Sequence, residues 1–205
     1  MTPSPDTASG SPAPSSDGRF AHQSYTIKRP ALSFLGRKYY VYAPDGTQVM
    51  FLKHPMMKLK EEFTIYTDET ESAPLLTVRS RSFVALNMAH DVIDPQTGER
   101  TGSIRSRGMK SLVRDTWDIL DANDEVVGLM EEEGAALLRR VLKFLPGKHK
   151  IELNGQRVAS LDQKFRFFGK EVALDLTPGA GQLDARFAVG CALLALIKES
   201  EREKE

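Results

Sequence analysis

The stretch Leu183-Asp-Ala-Arg-Phe-Ala-Val-Gly-Cys-Ala-Leu-Leu-Ala-Leu-Ile-Lys198 decides the fold of this chain. Between positions 187 and 197 it contains no polar side chain, and no proline or turn motif interrupts it. Because Ala and Leu favour the helical state, this run predicts a helix, with Asp184 at the positive end of the helix dipole and an end from Lys198 onward. The predicted helix is apolar on every side.

Such a helix must be enclosed on all sides, either by protein or by lipid. At 1.5 Å per residue, the eleven residues from 187 to 197 span about 16 Å, roughly half the thickness of a bilayer's hydrocarbon core. A transmembrane helix is therefore not expected. We predict instead that the rest of the chain wraps around this helix.

Period-two alternation of apolar and polar residues dominates the chain ahead of the helix, and it occurs in pairs joined by turn motifs. Ala43-Pro-Asp-Gly46 and Asn154-Gly155 are the clearest of these motifs. The predicted hairpins span residues 39–52, 63–78, 90–107, 117–130, 151–161 and 164–176. About twelve short strands in consecutive hairpins predict a mainly β fold, in which an antiparallel sheet closes into a barrel around the buried C-terminal helix.

A second helix is predicted between the strands, over residues 131–145. This segment begins with three glutamates, carries Arg139, Arg140 and Lys143 near its end and is followed by Pro146-Gly147, which suits the helix dipole and the rules for helix ends. Its bases lie away from its apolar face. It therefore either packs on the barrel with solvated bases or lies on a membrane surface.

Composition divides the chain into a tail and one domain. Residues 1–24 are mostly Ser, Pro, Gly, Ala and Thr and hold too little apolar surface to offset the entropy of ordering, so we predict a disordered tail. Residues 25–205 are predicted to form a single barrel domain, because the chain is long enough for one sizeable core.

The single cysteine, Cys191, lies inside the predicted central helix, so no disulfide is expected and the chain suits a reducing compartment. No signal peptide and no membrane-spanning segment are predicted. We therefore expect a cytoplasmic protein, and a peripheral position at a membrane stays open.

Several segments resemble the LURP-one-related proteins, which share a superfamily with the phospholipid scramblases and the tubby C-terminal domains. They are Tyr25-Thr-Ile-Lys-Arg29, Tyr40-Val-Tyr-Ala-Pro-Asp-Gly46, Trp117-Asp-Ile-Leu-Asp121 and the terminal helix after Leu174-Asp-Leu176. The resemblance covers residues 25–200 and implies a twelve-stranded barrel around a central C-terminal helix. It also implies a link to membranes, because tubby domains bind phosphoinositide head groups and scramblases are associated with membranes and calcium.

Calcium binding does not carry over from the scramblases. They resemble one another in an acidic loop just before the final helix, whereas this chain has the basic segment Lys164-Phe-Arg-Phe-Phe-Gly-Lys170 there. The four histidines show no metal-ligand spacing, and no nucleophile or phosphate-loop motif is present, so we expect no metal, no cofactor and no enzymatic activity. His90 and Asp91, beside Asp94, are the candidate acid–base cluster, with a solvated strand as the simpler interpretation.

Charge is balanced over the whole chain and uneven locally. With 28 basic and 28 acidic residues, the chain lacks the net charge of a general nucleic-acid binder. Residues 137–170, however, hold nine basic side chains and two acidic ones, and residues 79–114 hold seven basic and three acidic.

Four arginines of the second region are the candidate ligand-binding residues. Arg79 and Arg81 share the outward face of one predicted strand, and Arg105 and Arg107 share that of another. Outward guanidinium groups can contact phosphate oxygens or form an ordinary solvated wall. We predict a non-enzymatic binding module for anionic phospholipid or phosphoinositide head groups. The alternative is a structural or interaction module that docks another protein.

Overall fold

The computed structural model describes residues 17–31, 36–54, 62–81, 88–107, 116–133, 147–164, 166 and 168–202. Within these ranges twelve strands form one closed antiparallel barrel, in which each strand pairs with its neighbours along the chain and β1 closes against β12. The strands are β1 Ser24–Arg29, β2 Arg37–Tyr42, β3 Gln48–His54, β4 Glu62–Tyr66, β5 Pro74–Ser80, β6 Ala89–Ile93, β7 Arg100–Ser106, β8 Thr116–Leu120, β9 Val126–Glu132, β10 Lys148–Leu153, β11 Gln156–Lys164 and β12 Lys170–Asp175. Helix α1, Ala185–Arg202, lies inside the barrel. The predicted fold class is confirmed.

Alternation and turn chemistry explain why these segments form strands. In β1 the inward side chains of Tyr25 and Ile27 are buried, whereas Lys28, which follows Ile27 and points to the other face, is exposed. The β10–β11 hairpin turns at Asn154 and Gly155, whose φ angles of 51° and 79° are those that a two-residue hairpin turn requires. Five of the six predicted hairpins are present as antiparallel pairs where the sequence predicts them. In place of the sixth, the end of β11 pairs with β12.

The first strand of the last predicted hairpin lies earlier in the chain than the sequence predicts. The pattern predicts it over residues 164–168, whereas β11 spans Gln156–Lys164 and its last residue, Lys164, pairs with Glu171 of β12. The chain turns at Gly169, whose φ is 105° and where a Cβ would lie 2.3 Å from the Arg29 carbonyl oxygen. The close approach of the β1 end therefore fixes the turn.

Helix α1 fills the interior of the barrel. Its residues from 187 to 197 are all buried, as the absence of a polar side chain predicts. The helix lies nearest to β5, β6 and β7, where glycines allow close packing. A Cβ on Gly190 would lie 2.8 Å from Val92 Cγ2, and a Cβ on Gly102 would lie 2.6 Å from the Phe187 ring.

Both ends of α1 are held by polar contacts. The Asp184 carboxylate accepts a hydrogen bond from the Arg186 backbone N–H (2.8 Å), so the helix begins where the sequence predicts. It ends at Arg202, one turn beyond the predicted end at Lys198. The extension is stabilised by the barrel, because Arg29 donates to the Ser200 hydroxyl (2.7 Å) and Arg37 donates to the Ser200 carbonyl.

The predicted second helix does not begin at Glu131. Glu131 and Glu132 belong to β9, and Glu131 forms an ion pair with Lys150 of the neighbouring strand β10 (3.0 Å). Acidic residues are favourable in the first turn of a helix. They are equally favourable on the outer face of a strand when a basic residue lies opposite on the neighbouring strand. The rest of that prediction, residues 134–146, lies outside the described residues.

The predicted tail is shorter than 24 residues. Ser24 already belongs to β1, and a short 3₁₀ helix, Gly18–Phe20, precedes it with Asp17 as its cap. The Phe20 side chain belongs to the buried core, and the Tyr25 hydroxyl donates to the Arg19 carbonyl (3.0 Å). Residues 1–16 lie outside the described ranges.

The barrel has two rims, which we name after the ends of α1. The helix-start rim holds the turns β2–β3, β4–β5, β6–β7, β8–β9 and β10–β11, and Arg186 of α1 contacts Asp94 and Glu99 there. The helix-end rim holds the connections β1–β2, β3–β4, β5–β6, β7–β8, β9–β10 and β11–β12, and Lys170 contacts Glu199 of α1 there (2.8 Å). Every odd-numbered strand therefore ends at one rim, because all neighbours are antiparallel.

Candidate anion-binding surface

The four candidate arginines lie on one part of the outer wall. Arg79 is in β5 and Arg105 is in β7, with only β6 between these strands. Arg81 and Arg107 directly follow the ends of β5 and β7 at the helix-end rim. The fold thus brings all four to neighbouring strands, and carboxylates accompany each of them.

Among the described residues, Arg79 forms an ion pair with one carboxylate. Its Nε lies 3.2 Å from Glu62 Oε2, on the adjacent strand β4. The Arg79 side chain is 58% exposed, so this contact is a surface ion pair of the kind that contributes little to stability. Its charge is balanced by one carboxylate.

Arg81 belongs to a balanced cluster that the sequence did not indicate. Two of its guanidinium nitrogens contact the two carboxylate oxygens of Asp124 (2.7 and 2.9 Å), and its Nε lies 2.8 Å from Asp91. Arg100 also contacts Asp124 (2.8 Å). Hydrogen bonds from Arg81 and then from Arg100 lower the pKa of Asp124 to about 2, and the same Asp124 contact raises the pKa of Arg81. Two arginines and two aspartates leave no net charge here.

This cluster makes a testable prediction about the Asp124 carboxyl. Its pKa should be about 2 in the native protein, and Arg81→Ser should raise it toward the ordinary value of 3.8, with part of the shift kept by Arg100. Titration of the carboxyl carbon by NMR measures both values. Arg79→Ser, which removes an arginine that contacts Glu62 instead, should leave the Asp124 titration unchanged, and an equal shift in both variants would contradict the assignment.

Arg105 and Arg107 share a single carboxylate. Arg105 Nη2 lies 3.1 Å from Asp118 Oδ2, and Arg107 Nε lies 2.5 Å from Asp118 Oδ1. The Asp118 side chain is only 11% exposed, whereas those of Arg105 and Arg107 are 37% and 33% exposed. One carboxylate in the wall therefore holds two guanidinium groups side by side, and these three residues carry one net positive charge.

The candidate acid–base cluster is not assembled. His90 and Asp91 are consecutive residues of β6, so their side chains point to opposite faces of the wall. Asp91 accepts a hydrogen bond from the Ser103 hydroxyl (2.6 Å) and contacts Arg81, while Asp94 contacts Arg186 at the helix-start rim. The side chains of Asp91 and Asp94 therefore make separate structural contacts. The simpler interpretation of a solvated strand is also wrong, because His90 and Asp91 are only 2% and 8% exposed.

These features define the class of protein: a twelve-stranded antiparallel barrel closed around a C-terminal helix, with arginine and carboxylate clusters on its outer wall. The solved structure of a protein from Arabidopsis thaliana, AT5G01750, has a similar fold, with a TM-score of 0.50 and 11% sequence identity over 90% of this chain and 96% of that one. This likeness concerns the fold alone. No protein-family model matches the chain, and no curated protein matches it.

In the part of the chain that the structure describes, no helix has both the length and the apolar character needed to cross a bilayer.

Proposed function

We propose that this protein is a non-enzymatic binding module that contacts the anionic head groups of phospholipids through Arg105 and Arg107. The observation that carries the proposal is the sharing of one buried carboxylate by two half-exposed guanidinium groups. Asp118 keeps the two groups together before a ligand arrives, so less side-chain freedom is lost on binding. The remaining donors of each guanidinium can then bind phosphate oxygens.

The filled interior supports a ligand on the outside. The side chains of α1 between residues 187 and 197 are buried against the barrel wall, so the centre of the barrel is occupied by the protein itself. The outer wall and the rims are the surfaces that this leaves. Among the four candidate arginines, only the pair at Asp118 outnumbers its carboxylate partners in the described contacts.

The family resemblance supports the same ligand class. The segments around Tyr40 and Trp117 resemble LURP-one-related proteins, and the related tubby domains bind phosphoinositide head groups. The likeness to the AT5G01750 barrel agrees with that resemblance at the level of the fold. We therefore propose membership of this superfamily, with Arg79 and Arg81 at the edge of the binding surface rather than at its centre.

Replacing both Arg105 and Arg107 by Ser tests the proposal. Each base near an anionic surface contributes roughly 1 kcal/mol, so the double variant should bind anionic vesicles about thirtyfold more weakly. The measurement is co-sedimentation with vesicles of phosphatidylcholine alone and of equal parts phosphatidylcholine and phosphatidylserine, at low and at physiological salt. Binding of the native protein should weaken with salt, because counterions screen the attraction.

The control is Arg79→Ser with Arg81→Ser, which removes the same number of charges from groups that carboxylates already balance. This control variant should weaken binding to anionic vesicles less than the Arg105 and Arg107 variant does. The Arg105 and Arg107 variant leaves the Asp118 carboxylate without these partners, so its cooperative melting must be verified first. If the native protein binds no anionic vesicle at low salt, the lipid proposal fails and a module that docks another protein is the function to pursue.

A further inference from the structure

The connections at the two rims differ sharply in composition. The turns of the helix-start rim, residues 43–47, 67–73, 94–99, 121–125 and 154–155, hold nine acidic residues, no Lys or Arg, and no Phe, Leu, Ile, Val or Met. The sequence segments that join the strand ends of the helix-end rim are residues 30–36, 55–61, 81–88, 107–115, 133–147 and 165–169, of which the structure describes only 30, 31, 36, 81, 88, 107, 133, 147, 166, 168 and 169. They hold ten Lys and Arg, three acidic residues and six of the ten phenylalanines in the chain. By sequence, the turns of the helix-start rim are therefore acidic, and the segments that join the strand ends of the helix-end rim are basic.

Phe168 shows where apolar surface is exposed at the helix-end rim. It lies between β11 and β12, and 92% of its surface is exposed. Val126, at the start of β9 beside the opposite rim, is the other large apolar residue classed as exposed among the described residues, and its exposure is 50%. A phenylalanine this exposed forgoes the favourable free energy of removing its ring from water. Its exposure therefore indicates a surface that a binding partner covers.

Two basic residues precede Phe168 closely in the sequence. Lys164 at the end of β11 and Arg166 in the connection are both more than half exposed, and they share one carboxylate partner, Glu171 (3.5 and 3.0 Å). The Arg166 hydrogen bonds lower the pKa of Glu171, which keeps this carboxylate ionised. Two bases against one acid leave a positive charge beside the exposed aromatic ring, as the Arg105 and Arg107 pair does on Asp118.

We propose that the helix-end rim is the face that docks on an anionic lipid bilayer, with the Phe168 ring inserted at the boundary between head groups and acyl chains. The inference rests on the proposed function, and it adds the orientation and the anchor. An exposed aromatic ring flanked by bases is the pattern that binds a bilayer interface, where the ring enters the acyl boundary and the bases meet lipid phosphates. Arg107 follows the end of β7 at the same rim, so one bilayer plane can meet both positive groups.

The orientation follows from the charge division. The acidic turns of the helix-start rim are repelled by an anionic surface, whereas the positive groups at Arg107, Lys164 and Arg166 of the helix-end rim are attracted to it. The barrel axis then stands along the bilayer normal, with the start of α1 farthest from the lipid.

A site-specific fluorophore tests the insertion. Cys191 is fully buried and burial raises the pKa of its thiol, so a thiol-reactive, polarity-sensitive dye will label only an introduced cysteine. Phe168→Cys carries the dye at the helix-end rim, and Ala122→Cys carries it on an exposed residue at the helix-start rim. With phosphatidylcholine and phosphatidylserine vesicles, the emission at position 168 should shift to the blue and be quenched by brominated acyl chains, whereas that at position 122 should not change.

Binding to the vesicles without a spectral change at position 168 would overturn the docking geometry and leave the proposed function intact. Absence of vesicle binding by the unlabelled native protein would overturn the proposed function and this inference together. Quenching at position 122 instead of 168 would show the opposite orientation and would equally overturn it.

Serine substitution gives an independent measurement with a matched control. Phe168→Ser should weaken binding to the anionic vesicles about tenfold, because the ring no longer leaves water, whereas Val126→Ser should change binding less than about twofold. Both variants should melt as the native protein does, since both side chains are exposed in the free state. If Phe168→Ser instead abolishes self-association measured by sedimentation velocity and leaves vesicle binding unchanged, the patch is a contact between copies of this chain and the inference is overturned.

Discussion

Leu194→Asp is expected to abolish cooperative folding. Leu194 lies in the middle of α1 with 2% of its surface exposed, so the new carboxylate would lie inside the barrel wall. Burying an isolated charge costs several kcal/mol or more, which approaches the total stability of about 5–15 kcal/mol of an ordinary domain. The measurement is the fraction of the variant recovered in solution after expression, followed by thermal unfolding of that fraction.

Leu194→Met is the matched control for the same position. It conserves volume and polarity, so it should cost less than about 1.5 kcal/mol and leave a cooperative transition. A Leu194→Asp protein that is recovered in solution and unfolds cooperatively near the native temperature would show that α1 is not enclosed by the strands.

The second large effect is expected for Arg186→Leu. The Arg186 side chain is 7% exposed and contacts Asp184 (2.7 Å), Glu99 (3.1 Å) and Asp94 (3.4 Å). These contacts, above all the hydrogen bond to Asp184, raise the pKa of the guanidinium above its usual range. Removing it takes from the Asp184 carboxylate, which is 6% exposed, and from the Asp94 carboxylate, which is 19% exposed, the cationic partner that they have among the described residues, at a cost of about 3–5 kcal/mol. The free energy of unfolding in urea measures the loss.

Two further variants separate the effect of burial on stability from the effect of losing a charge. Arg79→Leu removes an ion pair whose arginine is 58% exposed and should cost no more than about 1 kcal/mol. Arg186→Lys keeps the charge but loses the planar guanidinium group. Its cost in free energy of unfolding should therefore fall between those of Arg186→Leu and Arg79→Leu. Equal losses for Arg186→Leu and Arg79→Leu would mean that Arg186 does not fasten the helix start to the barrel.

The sequence predicts the barrel because its signals are local and agree with one another. The uninterrupted apolar run before Lys198 requires an enclosure, and motifs such as Asn154-Gly155 specify where the strands turn. Local signals fail where two structures satisfy the same pattern. Glu131 suits the start of a helix and also suits a strand opposite Lys150, and only the pairing of β9 with β10 distinguishes them.

The candidate site is predicted less completely, because ion pairs depend on contacts between distant segments. Alternation predicts that the side chains of Arg81 and Arg105 point outward. It does not show that Arg81 contacts Asp124, which is 43 residues away, or that Asp118 lies between Arg105 and Arg107. The sequence around Phe168 predicts a strand there. The exposure of its side chain follows instead from the turn at Gly169, which depends on the close approach of the end of β1.

The closure of β1 against β12 has a consequence for how the chain reaches its native state. Ser24 pairs with Asp175, so the first strand lacks one of its two neighbours until nearly all of the sequence is available. The helix that supplies the core follows even later in the sequence, so any hairpin that forms before it would have its apolar face uncovered. Folding that must wait for such distant contacts is slow and leaves strand edges open to other chains. We therefore expect refolding yield to fall steeply as protein concentration rises, even though the finished barrel has no free edge.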